Sequence, residues 1–206
     1  MAHADRFHIH PDNPQMRLIQ KAAEILKKGG IIAHPTDTTY ALGVHLHNKQ
    51  GIEELYRIKG KDLKRPLSLL CADLSNIAEY ANVDDVAYRV MRRLLPGPYT
   101  FILPATKAAP RITQTPRKEV GLRCPKDNIV AALGQVLGEP LVSTSCSAPG
   151  GELLADPDDI LQIFGHQIGL VIDAGYIYPE PSTIISLMSG RPELVRLGKG
   201  PFDETF

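Results

Sequence analysis

Helical apolar stripes alternate with short strand-type apolar runs along this chain, and nothing else limits its fold as tightly. Leu18, Ala22, Ile25 and Leu26 mark one face of a helix, with Lys21, Lys27 and Lys28 off it. Asp12 or Asn13 is expected to cap that helix, with Pro14 in its first turn, and Gly29-Gly30 to stop it. Phe7 to His10 reads as a short edge strand and Ile31-Ile32-Ala33 as a buried one, cut at Pro35. After a polar turn, Tyr40 to Val44 continues as strand. A helix through Ile52, Leu55, Tyr56 and Ile58 then leads into a basic loop.

Further on, strand is expected at Leu67 to Cys71, Tyr99 to Leu103, Val120 to Arg123, Leu141 to Ser145, Ile168 to Asp173, Ser182 to Leu187 and Glu193 to Leu197. Helix is expected at Leu74–Tyr80, Asp84–Leu95, Asn128–Leu137 and Asp156–Phe164, with Asp156 as a cap and Arg92-Arg93 in a last turn. Residues 107–117 read as loop or hairpin. Long excursions without helix break the alternation. The pattern therefore predicts an α/β (α+β mixed) fold, a twisted mixed parallel/antiparallel sheet flanked by helices, over a strictly doubly wound one.

At 206 residues a single domain spanning 1–206 is expected. Its 23 basic and 23 acidic side chains cancel, so any pull on anions must come from a local patch. Cys71, Cys124 and Cys146 form no CxxC pair and no metal-ligand spacing. They read as small buried thiols in a reducing, cytoplasmic compartment. Cys146, set in a Ser/Thr cluster, stays open as a nucleophile. No eighteen-residue apolar run predicts a membrane span, and no HxxxH or HExxH pattern predicts protein-held zinc. Nothing in the sequence fixes an oligomeric state.

Lys59, Lys61, Lys64 and Arg65 fall within one short loop at the mouth of the Leu67 strand. An α/β protein could hold a phosphate there; a solvated helix-to-strand loop would look the same. Pro35-Thr36-Asp37-Thr38-Thr39-Tyr40 packs hydrogen-bonding side chains between two buried strands, either to orient a polar ligand or to satisfy turn amides. Ser143-Thr144-Ser145-Cys146-Ser147 runs from a strand into a Gly-rich loop that could cradle an anion or simply end the strand. Arg123, at a strand end, needs a partner, either a protein carboxylate or a ligand's. Ser182 and Arg196 are weak signals singly, and His34 reads as a packed strand residue. There is no Walker A loop and no GxSxG elbow.

The order of these pieces says more than any one of them. Pro35 to Gly43, the Lys59–Pro66 loop, Pro96-Gly97-Pro98-Tyr99-Thr100, Gly121-Leu122-Arg123-Cys124-Pro125, Pro140 to Ser145 and Pro181-Ser182-Thr183-Ile184-Ile185 together resemble the YrdC-like family, over about residues 12–200. The resemblance implies a basic concave cavity and a threonylcarbamoyl-AMP synthase. Such an enzyme joins L-threonine, bicarbonate and ATP, releases pyrophosphate, and feeds the modification of adenosine 37 in tRNA. It also implies possible partners in tRNA or double-stranded RNA. By that resemblance Thr36, Arg123, Ser145 and Ser182 hold threonine, and Lys61, Arg65, Ser147 and Arg196 contact ATP. Lys59 and Lys61 are the catalytic cations. Mg²⁺ rides on the nucleotide, with no metal held by the protein.

Two motifs depart from the family's synthases. Their Lys-x-Arg is here Lys59-Gly60-Lys61, and their Ser-x-Asn is Ser145-Cys146-Ser147. Lysine lacks the forked grip of a guanidinium, and serine lacks the reach of asparagine. One lost charge-assisted contact costs roughly 1.5–3 kcal/mol. These changes, with Pro66 but no proline at Asp62, resemble the YciO branch. They imply weakened synthesis, with hydrolysis of the same adenylate, duplex-RNA binding or silent nucleotide binding as the other readings.

Overall fold

The computed structural model describes residues 3–58, 60 and 67–203. Lys59, Lys61, Lys64 and Arg65, on which the basic-loop reading rests, lie outside the described residues. In chain order the elements are β1 (Asp5–His8), α1 (Met16–Lys27), β2 (Ile32–His34), β3 (Ala41–His45), α2 (Lys49–Ile58) and β4 (Ser68–Leu70). Then come α3 (Leu74–Tyr80), α4 (Asp85–Leu94), β5 (Tyr99–Pro104), a 3₁₀ turn at Arg111–Thr113, β6 (Glu119–Arg123), α5 (Asn128–Leu137) and β7 (Leu141–Ser145). The chain closes with α6 (Pro157–Phe164), β8 (Leu170–Asp173), β9 (Thr183–Ser186) and β10 (Glu193–Arg196).

The strands form one sheet in the order β1-β8-β2-β3-β7-β4-β6-β5-β9-β10. Parallel pairs (β1 with β8, β8 with β2, β4 with β6, β5 with β9) are mixed with antiparallel ones, as expected. Side chains alternate between the two faces with a period of two. Ala33, Leu42, Val44, Leu69, Phe101, Val120, Leu122, Val142, Val171 and Ile185 share one buried cluster with α2, α3, α4 and α6. The intervening Ile32, Leu70, Leu141, Leu170 and Ile172 share another with α1 and α5. Each fully buried Leu, Ile or Phe contributes about 1.5–3 kcal/mol to this two-sided core.

Helices α1 and α5 cover only part of their face. The same parity along β3, β7, β4, β6, β5 and β9 brings Gly43, Ser143, Ser68, Gly121, Ile102 and Ser186 into register across six strands. These side chains are mostly small, and no described helix lays an apolar face on them. This stretch of the sheet is lined by small residues, three of them serines.

Several local expectations need correction. β1 begins and ends two residues earlier than Phe7–His10, although it is an edge strand. Neither Asp12 nor Asn13 caps α1, because both backbone N–H groups donate to His10 Nδ1. The N-cap is Gln15, whose side chain instead accepts from the His10 N–H, and Pro14 lies before the helix. The buried stripe of α1 centres on Ile19, Ala22, Ala23 and Leu26, leaving Leu18 and Ile25 at its margins. Gly29 does end the helix, in a left-handed conformation at φ 94°, with Gly30 N–H returning to Ile25 O. Asp84, Asp127 and Asp156 cap α4, α5 and α6 through N–H groups two or three residues on. Among the described residues, no helix is long and apolar enough to cross a membrane.

Candidate active site

The β2–β3 loop, Pro35 to Tyr40, is built on the Thr36 hydroxyl. Thr36 Oγ1 donates to Thr39 O at 2.6 Å and accepts from the N–H groups of Thr38 and Thr39, each at 3.2 Å. Thr38 Oγ1 lies 3.0 Å away and accepts from Arg123 Nη2 at 3.0 Å. Polar contacts thus link Arg123 through Thr38 and Thr36 to a backbone carbonyl. In this structure Thr36 spends its hydroxyl on the loop.

Arg123, the last residue of β6, is buried on the same side of the sheet as Ser143 and Ser145. The carboxylate partner left open by the sequence is Asp37. Arg123 Nη2 donates to Asp37 Oδ1 at 2.8 Å, while Asp37 Oδ2 accepts the Lys126 N–H at 3.0 Å. Burial pushes the guanidinium below its usual range, Asp37 opposes that shift, and the positive charge of Arg196 adds to it. A guanidinium stays protonated regardless. Among the described residues its buried Nε has no hydrogen-bond partner. The carboxyl of Asp127, the cap of α5, is raised by burial and by repulsion from Asp37, offset in part by the Val130 N–H it accepts and, less, by Arg123.

Ser182 precedes β9 and is buried, with its Oγ 2.8 Å from Thr100 Oγ1. Arg196 on β10 donates from Nη2 to Ser182 O at 2.7 Å and from Nε at 3.2 Å. Two buried hydroxyls and the Arg196 guanidinium are therefore joined across β5, β9 and β10, and Arg196 lies near enough to Arg123 for their charges to repel. Ser145 is half-buried at the end of β7, and Ser147 is half-buried beyond it, bridging to Leu153.

Cys146 is no nucleophile. It is buried in the core, and burial pushes its thiol up to about 12. Cys71 and Cys124 are free and buried too. His34 is wholly buried, with Nδ1 2.9 Å from Pro35 O, as a packed strand residue should be. Among the described residues no cluster of His, Cys, Asp or Glu could hold a metal ion. Two hollows, of about 570 and 460 Å³, lie beside α2 and are lined by none of Arg123, Ser145, Ser182 or Arg196.

Sequence reasoning left Asp37 and Thr38 open between orienting a polar ligand and satisfying turn amides, and did not single out Thr100 or Lys199. The signal for Asp37 was present, since a strand-end arginine and a turn aspartate each lacked a local partner. Lys199 Nζ donates to Asp37 O at 2.5 Å.

Known proteins share this fold. The family model for Sua5/YciO/YrdC proteins, described as "Telomere recombination", matches residues 24–198, and the chain belongs to that family. YciO of Escherichia coli (strain K12) is 45% identical over 196 residues, covering 94% of this chain and 95% of YciO. The crystal structure of E. coli YciO aligns with a TM-score of 0.93 over 96% of this chain and 97% of its own. Threonylcarbamoyl-AMP synthase of Chromobacterium violaceum is 32% identical over 182 residues, 88% of this chain and 94% of that enzyme. The crystal structure of P. abyssi Sua5 complexed with L-threonine has a TM-score of 0.87 at 25% identity. It covers all of this chain and 59% of Sua5. Within the family the chain stands on the YciO side, with synthases further out.

Proposed function

We propose that this protein binds L-threonine and ATP beside Arg123, on that side of the sheet, and forms threonylcarbamoyl-AMP at a reduced rate, in a reducing, cytoplasmic setting. The observation that carries this reading is the placement of two contacts, Arg123 with Asp37 and Arg196 with Ser182, on one side of the sheet, near enough for the two guanidinium charges to act on each other. Support also comes from a relative with L-threonine bound and another named as the synthase.

In this reading the threonine carboxylate meets the unpaired edge of Arg123, and Ser145, Ser182 and the Thr36 loop orient the amino acid. The threonine amine and bicarbonate give a carbamate and water. A carbamate oxygen then attacks the α-phosphate of ATP, and the bond to pyrophosphate breaks. Lys59, Lys61, Arg65, Ser147 and Arg196 hold the phosphates, and Mg²⁺ arrives on the nucleotide. Catalysis rests on positioning and on charge, with no bond formed to the protein.

The altered Lys-Gly-Lys and Ser-Cys-Ser motifs put the rate roughly ten- to a hundredfold below a synthase with intact motifs. Incubation with ATP, threonine and bicarbonate should release pyrophosphate only when all three are present. Supplied adenylate tests the hydrolytic direction, and absence of turnover in both assays removes the proposal. The balanced totals of 23 basic and 23 acidic side chains do not favour duplex RNA as the main ligand. A mobility shift at low salt, alongside the assay, decides that point.

A further inference from the structure

Residues 197–201 cross the site as a strap whose path is tightly prescribed. The N–H groups of Gly198 and Lys199 donate to Thr183 Oγ1 and Pro181 O, each at 2.9 Å. Pro201 O accepts from Tyr99 OH at 2.9 Å, and Thr183 Oγ1 also donates to Gly200 O. A Cβ at position 198 would lie 2.1 Å from Pro181 O, so only glycine fits this crossing. Lys199 is therefore held by its backbone on both sides, on the same Pro181–Ser182 corner that Arg196 grips.

From there its exposed side chain reaches the β2–β3 loop, donating from Nζ to Asp37 O. The acceptor is a neutral carbonyl. The carboxylate of the same residue is taken by Arg123 and by the Lys126 N–H. Among the described residues no carboxylate contacts the Lys199 ammonium, which has two further N–H groups to give. We infer that Lys199 is an anion-contacting residue of this site, holding a phosphate or carboxylate group of the ligand between the strap and the Asp37 loop. The inference rests on the site proposed above and adds to it a cation that lies in none of the motif blocks.

Calorimetry on the full chain separates the two anions, with inorganic pyrophosphate in one arm and L-threonine in the other. Lys199→Gln keeps a donor but loses the charge, and Lys199→Arg keeps the charge. In at least one arm, Lys199→Gln should bind about tenfold more weakly than wild type, with Lys199→Arg within about threefold of it. Ligand-free melting temperatures should match. Loss in the pyrophosphate arm assigns a phosphate to Lys199, and loss in the threonine arm a carboxylate. Wild-type affinity of Lys199→Gln in both arms, or equal loss in both variants, overturns the inference. So does a wild type that binds neither anion. A Lys199-dependent anion affinity in a protein that neither makes nor cleaves the adenylate would defeat the proposed reaction and leave this inference standing.

Discussion

Arg123 and Asp37 stand 86 residues apart in the chain and 2.8 Å apart in the fold, with side chains only 9% and 10% exposed. Asp37 also accepts the Lys126 N–H, so one carboxylate ties the end of β6, the approach to α5 and the β2–β3 loop together. Among the described residues, Asp37 and Thr38 both engage Nη2 of this buried guanidinium, and its Nε carries no hydrogen bond.

Removing the carboxylate alone leaves a buried charge uncompensated. Asp37→Ala should lower unfolding stability by about 3–5 kcal/mol, whereas Asp37→Ala combined with Arg123→Leu should recover much of that loss. Urea unfolding measures both. A single-variant loss below about 1 kcal/mol would show that the pair is solvated after all.

Burial holds His34 near pKa 4, well below the ordinary imidazole value of 6.5, and the charge of Arg123 pushes the same way. The unfolded chain then takes up a proton at a pH where the native one does not. Stability is fully present above about pH 6.5 and declines as pH falls toward 4, by at most about 3 kcal/mol from this group. The slope of unfolding free energy over that window should flatten in His34→Phe. An unchanged slope would assign the acid sensitivity elsewhere.

Gly198 has no room for a methyl group, whereas Gly150 has nothing within 4 Å of an added Cβ. Gly198→Ala should cost about 1–3 kcal/mol or shift the strap, and Gly150→Ala should be neutral or slightly stabilising. Thermal melts rank the two. Equal melting temperatures would mean that the strap does not cross where it is drawn.

The three thiols are buried, with Cys124 pushed up to about 11 and Cys146 to about 12, in both cases by burial. A thiol-specific disulfide reagent at pH 8 should label the native protein only as fast as it opens, and all three sites at once in denaturant. Rapid labelling of one cysteine in the folded protein would contradict the burial.

Local features were the legible part of this sequence. The stripe of α2, the cap at Asp156 and the cores of β4 to β7 follow from periodicity and polar punctuation that lie within a few residues. The N-terminus of α1 misled because Pro11, Asp12, Asn13 and Pro14 offer four helix-start signals. His10 Nδ1 captures two of the N–H groups those signals rely on. Sheet order was out of reach, since β8 inserts between β1 and β2 only through contacts more than a hundred residues apart. The site was legible as residue types in order, but the choice of Asp37 as the partner of Arg123 depends on how the loop folds over the sheet, which no local pattern encodes.

The first strand has a long wait. Asp5 pairs with Leu170, so β1 leaves the ribosome 165 residues before its neighbour exists. At ordinary translation speeds that interval is roughly ten to thirty seconds. A nascent chain stalled anywhere short of β8 therefore keeps the apolar edge of β2 unpaired. Chaperone demand during synthesis should fall abruptly once residues 170–173 have emerged.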